Sequence, residues 1–166
     1  MGTTAPGMPG KAEGVLVGVI SDTHGLLRPQ ALEALRGSDL ILHAGDVGKK
    51  EILEALEELA PVVSVRGNTD RGELALSFPD TQAVEVDGSI LYLLHDIDTL
   101  DLNPEAAGFA AIVFGHSHQP EVREEAGVLF FNPGSAGPRR FDYPITVGRI
   151  RVQGGKLLPE VMALSD

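Results

Sequence analysis

Residues 14–24 read GVLVGVISDTH. The first seven, Gly14 to Ile20, are apolar and rich in β-branched side chains, the composition of a buried strand. Within three residues the character then changes. Asp22, Thr23 and His24 are polar, and the first and last can ligate a metal. The same switch recurs downstream. Asp39 to Leu42 begins a second strand and is followed by Gly45-Asp46, and Pro61 to Val65 makes a third, followed by Gly67-Asn68. Between them, Pro29 to Arg36 reads as a short helix, with proline in its first turn and Gly37 past its end. Lys49 to Leu59 puts Ile52, Leu53, Leu56 and Leu59 on one helical face. This βαβαβ order predicts parallel strands joined by right-handed crossovers.

Beyond residue 80 the pattern turns to hairpins. Thr81 to Val86 and Ser89 to Leu94 flank Asp87-Gly88, a strong turn signal. Asn103-Pro104 is placed to cap a short helix, and Ala110 to Phe114 is another buried strand. Val122 to Glu125 and Val128 to Phe131 flank a further turn, and Ile145 to Val152 joins Lys156 to Met162 through Gly154-Gly155. Parallel units followed by hairpins predict two sheets packed together with helices outside.

The 166 residues suffice for one domain with its own core and contain no internal repeat. Residues 1–13, rich in Gly, Pro and Thr, are expected to form a flexible tail, and residues 14–166 the domain. The tail lacks the apolar core of a secretory signal, and no apolar stretch reaches the length of a membrane span, so a cytoplasmic location is expected. Formal net charge is -11, from 24 acidic and 13 basic residues, a balance that argues against binding nucleic acid or anionic membrane. The absence of cysteine excludes disulfides, thiolate metal sites and thiol nucleophiles. Any metal must be held by His, Asp, Glu or Asn, a donor set suited to Mn²⁺, Fe²⁺ or Zn²⁺.

Five separate strands end in residues able to ligate a metal. Asp22 and His24 follow the first, Asp46 the second and Asn68 the third. His95 follows the second strand of the Asp87-Gly88 hairpin, and Gly115-His116-Ser117-His118 follows the Ala110 strand. Four of the five histidines fall at these strand ends. In open sheets of this kind, ligands bind outside the carboxyl ends of the strands, so these residues are expected to converge. Singly, each is more often a turn or cap residue. Jointly, they make an ordered ligand set that chance turn residues would not assemble.

The series Asp22-Thr23-His24, Gly45-Asp46, Gly67-Asn68, His95 and Gly115-His116-Ser117-His118 resembles the calcineurin-like metallophosphoesterase signature. The short length, Arg66-Gly67-Asn68-Thr69-Asp70 and Asn132-Pro133-Gly134-Ser135 resemble its small, single-domain YfcE-type branch. The resemblance implies an α/β fold (α+β by some schemes), a four-layer αββα sandwich of two mixed sheets flanked by helices. It further implies two divalent ions, Mn²⁺ first, with Fe²⁺, Zn²⁺ or Ni²⁺ as alternatives. Asp22, His24 and His118 would hold one, Asn68, His95 and His116 the other, and Asp46 would bridge them. Asp46, Asn68 and His116 are the expected catalytic core of a phosphodiesterase whose nucleophile is a hydroxide between the metals.

Two departures matter. Many relatives carry a general-acid histidine directly after Gly-Asn, where this chain has Thr69, whose hydroxyl is too weak an acid for that work. Slower turnover and a preference for good leaving groups are expected. The branch often reads His-Gly-His where this chain has His95-Asp96-Ile97, and Asp96, Asp98 and Asp101 add negative charge nearby. His43, Thr69, Ser135 and Arg139 are candidate substrate contacts, the alternatives being a core histidine, turn residues and a solvated arginine pair with Arg140. The expected partner is a small phosphate ester, with a homodimer or higher oligomer offered by the hairpin edges. A phosphomonoesterase or nucleotidase is the alternative within the class. A non-catalytic scaffold like the retromer subunit that resembles this fold is the alternative outside it.

Overall fold

A computed structural model of the protein describes residues 2–165. In chain order its elements are β1 (Gly2–Thr4), β2 (Val15–Ile20), α1 (Pro29–Leu35), β3 (Leu40–His43), α2 (Lys50–Glu57), β4 (Val62–Ser64), α3 (Gly72–Leu76), β5 (Thr81–Val86) and β6 (Ser89–Leu94). A 3-10 turn, Ile97–Thr99, precedes α4 (Pro104–Ala107), β7 (Ala111–Val113), β8 (Glu121–Glu125), β9 (Val128–Asn132), β10 (Thr146–Gln153) and β11 (Lys156–Ala163). The strands form two mixed sheets. One runs β11-β10-β2-β3-β4 and the other β1-β5-β6-β7-β9-β8. β2, β3 and β4 are parallel, as the βαβαβ reading requires, and β10 and β11 extend that sheet as an antiparallel hairpin.

The sheets face one another across an apolar layer built from alternate residues. Val15, Val17 and Val19 of β2 meet Leu91 and Leu93 of β6 and Phe131 of β9 in this layer. The other side of β2 and β3, with Ile20 and Ile41, packs under Leu35 of α1 and under Ile52, Leu53 and Leu56 of α2. Those three leucine and isoleucine side chains lie on the helical face that the spacing predicts. On the far side, Leu94, Ile112, Phe114, Val128 and Phe130 are covered by Ile97, Leu100 and Phe109, so the fourth layer is only the 3-10 turn and the single turn of α4. Asn103 caps α4 as expected, accepting the Ala106 N–H at 3.1 Å.

The N-terminal segment departs from the expectation of a free tail. Gly2–Thr4 run parallel to β5, in register from Thr81 to Ala83. The pairing continues through Met8, which bridges Val86, while Ala5 is buried and Met8 packs on the inter-sheet core. Gly and Pro content masked a segment that adds its backbone donors to an otherwise open edge.

Candidate metal centre

The parallel strands β2, β3 and β4 of one sheet and β6 and β7 of the other end on the same side, and the loops that follow interlock through backbone hydrogen bonds. Asp22 N–H donates to Gly45 O at 3.0 Å, His24 N–H to Asp46 O at 2.9 Å, and Gly115 N–H to His95 O at 3.0 Å. Eight non-glycine residues have positive φ among the described residues, and five of them are Asp22, His24, Asp46, His116 and His118. Asp and His tolerate this region better than most, yet each such residue carries about 1–3 kcal/mol of strain. Concentrating it here re-aims five polar side chains inward at strand ends that would otherwise continue straight.

The side chains meet in two groups of three. In one, His118 Nε2 lies 3.4 Å from Asp22 Oδ1, His24 Nε2 lies 3.7 Å from the same oxygen, and the two nitrogens are 3.4 Å apart. In the other, His95 Nε2 lies 3.0 Å from Asn68 Oδ1, His116 Nδ1 is 3.2 Å from that oxygen, and the two nitrogens are 3.3 Å apart. Asp46 Oδ2 stands between them, 3.6 Å from His24 Nε2 and 3.2 Å from His95 Nε2. Every sequence-derived ligand candidate is therefore in this cluster.

The donor chemistry fits cations. Asp22 Oδ1 is fully buried and accepts no hydrogen bond, although Asp22 Oδ2 accepts from Ser21 Oγ at 2.7 Å and from His116 N–H at 3.1 Å. A buried carboxylate oxygen without a donor is costly unless a cation faces it. His95 Nδ1 donates to Ala44 O at 2.7 Å, which in the neutral ring leaves the Nε2 lone pair pointing into the cluster, the usual way a backbone carbonyl sets up a metal-binding histidine.

Charge follows the same geometry. The facing Asp22 carboxylate raises the His24 pKa against the opposing effect of burial, with Asp46 adding to the rise. Burial opposes the charged form of His95, but Asp46 at 3.2 Å and the Asp22 charge outweigh it, and its pKa is raised. Burial lowers His118, and Arg140 lowers it further. Burial opposes ionisation of Asp46, yet His95 and the Thr69 N–H, bonded to Asp46 Oδ1 at 2.9 Å, hold its carboxyl well below the usual range.

The four candidate substrate contacts fare differently. His43 is wholly buried: its Nδ1 accepts the Gly45 N–H at 3.1 Å, and its Nε2 faces Thr23 Oγ1 at 3.0 Å, which donates on to Val47 O. With both nitrogens taken, it pins two site loops together from within the core. Burial pushes its pKa down to about 4. Ser135 is also buried, and its hydroxyl donates to Asp22 O at 3.2 Å, so the Asn132-Pro133-Gly134-Ser135 turn braces the first loop from behind. Thr69 is exposed at the rim and acts on Asp46 through its backbone. Arg139 donates to Tyr143 O at 3.1 Å, whereas the charge of its neighbour Arg140 is felt at both His24 and His118.

Asp70 is the residue that sequence reasoning passed over. It is buried, and its carboxylate accepts from the backbone N–H groups of Asp46 (3.1 Å), Gly48 (3.1 Å) and Gly67 (2.9 Å). Its position in Arg66-Gly67-Asn68-Thr69-Asp70 was the only available signal. Gly67 itself lies so close to Asp46 that any side-chain carbon there would overlap the Asp46 amide and carboxylate.

Comparison with known proteins gives a consistent result. Residues 15–155 match the family model described as the calcineurin-like phosphoesterase superfamily domain. A probable metallophosphoesterase of Methanothermobacter thermautotrophicus is 37% identical over 161 residues, covering 89% of this chain and 92% of the relative. The phosphodiesterase YfcE of Escherichia coli is 28% identical over 160 residues, covering 78% and 84%. Among solved structures, zinc-complexed Vps29 from Entamoeba histolytica superposes with a TM-score of 0.70 at 23% identity, over 91% of this chain and 100% of that one.

Proposed function

The chain belongs to the calcineurin-like phosphoesterase superfamily, and from that premise we propose that it is a phosphodiesterase served by two divalent cations, with manganese as the working ion. Asp22, His24 and His118 would hold one cation, Asn68, His95 and His116 the other, with Asp46 shared. The observation that carries this reading is Asp46 Oδ2, set between two three-atom groups, beside the donorless oxygen of Asp22. When bound, such a pair of cations supplies a nucleophilic hydroxide at neutral pH and neutralises charge that builds on the phosphoryl oxygens.

The chain's own residues prepare that chemistry. Backbone hydrogen bonds between loops fix the ligand side chains before substrate arrives, so that little reorganisation is needed during reaction. Asp22 and Asp46 offset only part of the charge of two dications, leaving a net positive centre for an anionic diester. Arg140, exposed and with its charge felt at both His24 and His118, is a candidate contact for a phosphoryl oxygen. Thr69 brings no group able to protonate a departing alkoxide, so esters whose leaving group departs unaided are favoured.

Hydrolysis of bis(p-nitrophenyl) phosphate with added Mn²⁺ tests the proposal. Wild-type protein should turn over, matched monoesters should be poorer, and Asp46→Asn or His116→Ala should lower kcat/KM by about two orders of magnitude or more, with the fold intact. Unchanged activity in both variants would refute the assignment. The fold likeness to Vps29 also fits a second reading, a non-catalytic scaffold, but the intact ligand set from Asp22 to His118 weighs against it. The same assay separates the two.

A further inference from the structure

A cavity of about 720 Å³ opens against the metal centre on the Asn68 and His95 side. Its floor carries Tyr92, whose ring stacks on Phe109 at 4.6 Å between centroids. Asp96 and Asp101 line its wall. Arg66 is the one cation among the described residues that line it, and its guanidinium is already bound to Asp80 at 2.9 Å and to Ala75 O at 2.9 Å. The Asp96 carboxylate reaches toward the centre itself, 3.8 Å from His116 Nε2.

The Asn68 and His95 end of the site is thus acidic, with Asp96 and Asp101 in the lining beside those two residues. A phosphodiester seated on the ligand cluster has two substituents, and the cavity adjoining Asn68 and His95 is where one of them can extend. We propose that this cavity binds an ester substituent carrying a positive charge, such as the ammonium of an amino alcohol, and discriminates against substituents that carry further negative charge. This rests on the reading of the cluster as a phosphoesterase centre. An ammonium there meets Asp96 and Asp101, whereas a carboxylate or second phosphate meets the same charges with no unengaged cation in the lining.

Calorimetric titration of manganese-loaded protein with three phosphate monoesters isolates this effect from turnover. Phosphocholine, glycerol phosphate and phosphoglycolate present cationic, neutral and anionic substituents on the same phosphate. Affinity should fall in that order, with phosphocholine about tenfold tighter than phosphoglycolate. Asp101→Asn and Asp96→Asn should each shrink that ratio to about threefold or less. Glu54→Gln, the same charge change on an exposed residue of α2, should leave it intact and so exclude a general effect of the net charge of -11. Equal affinities in the wild type, or a ratio unmoved by both pocket variants, would overturn the proposal. If the wild type hydrolyses bis(p-nitrophenyl) phosphate yet binds all three esters alike, only this inference falls. If it neither hydrolyses nor binds them, the phosphoesterase reading falls as well.

Discussion

At the scale of single residues, the site is held by buried groups behind the cluster of candidate ligands. Asp70 satisfies three backbone donors from two loops at once, and the amide of Asn can offer only one acceptor oxygen. Asp70→Asn should leave at least one buried N–H unpaired, at a cost of about 1–3 kcal/mol, and loosen manganese binding about tenfold through misplacement of Asp46. Thermal melting and metal titration of the variant check this, and wild-type values in both would remove Asp70 from the account. His43 shows how residue type misleads. Three residues before Asp46 it resembles a site histidine, yet burial on all sides makes it a neutral brace. Arg139 and Arg140 show the opposite limit, because identical neighbours are told apart only in the fold, where Arg139 donates to Tyr143 O and the charge of Arg140 is felt at His24.

At the scale of elements, the parallel strands were legible because burial on two faces leaves nearly continuous apolar runs, as in β2 and β3. The β5–β6 hairpin was legible because Asp87-Gly88 demands positive φ at both positions. The seven candidate ligands were legible for the same reason, since each follows a readable strand. What escaped was structure without periodicity. β1 consists of three residues in a Gly- and Pro-rich stretch whose order comes wholly from pairing with β5, and α3, five residues with no buried side chain, carries no amphipathic signal. The loops after β3 and β4 are packed so tightly that they test the element account. Gly67→Ala would drive a methyl group into Asp46. We expect about 1–3 kcal/mol of destabilisation and near-complete loss of hydrolysis with far-ultraviolet dichroism preserved. Full activity in Gly67→Ala would mean that the two loops do not approach as described.

At the scale of the whole molecule, the polar centre makes stability depend on pH when metal is withheld. His43 has a folded pKa of about 4 against an unfolded value of 6.5, so the unfolded chain binds more protons between those values. Stability therefore rises with pH across that interval, by at most about 3 kcal/mol from this residue, and lowered His118 acts in the same direction. His24 and His95 have raised folded values, so their contribution is complete below 6.5 and is lost as pH rises through those values. The EDTA-treated protein should be most stable near pH 6.5, and its melting temperature should fall on both sides. A melting temperature that climbs steadily through neutral pH would contradict the placement of the carboxylates beside His24 and His95.

The expectations for hydrolysis depend on two cations sharing one carboxylate, and anomalous scattering from manganese-soaked crystals reads that directly. Two peaks about 3.5–4 Å apart are expected, one against Asp22, His24 and His118, the other against Asn68, His95 and His116, with Asp46 reaching both. A single peak, a peak elsewhere on the molecule, or none at full manganese loading would contradict the account.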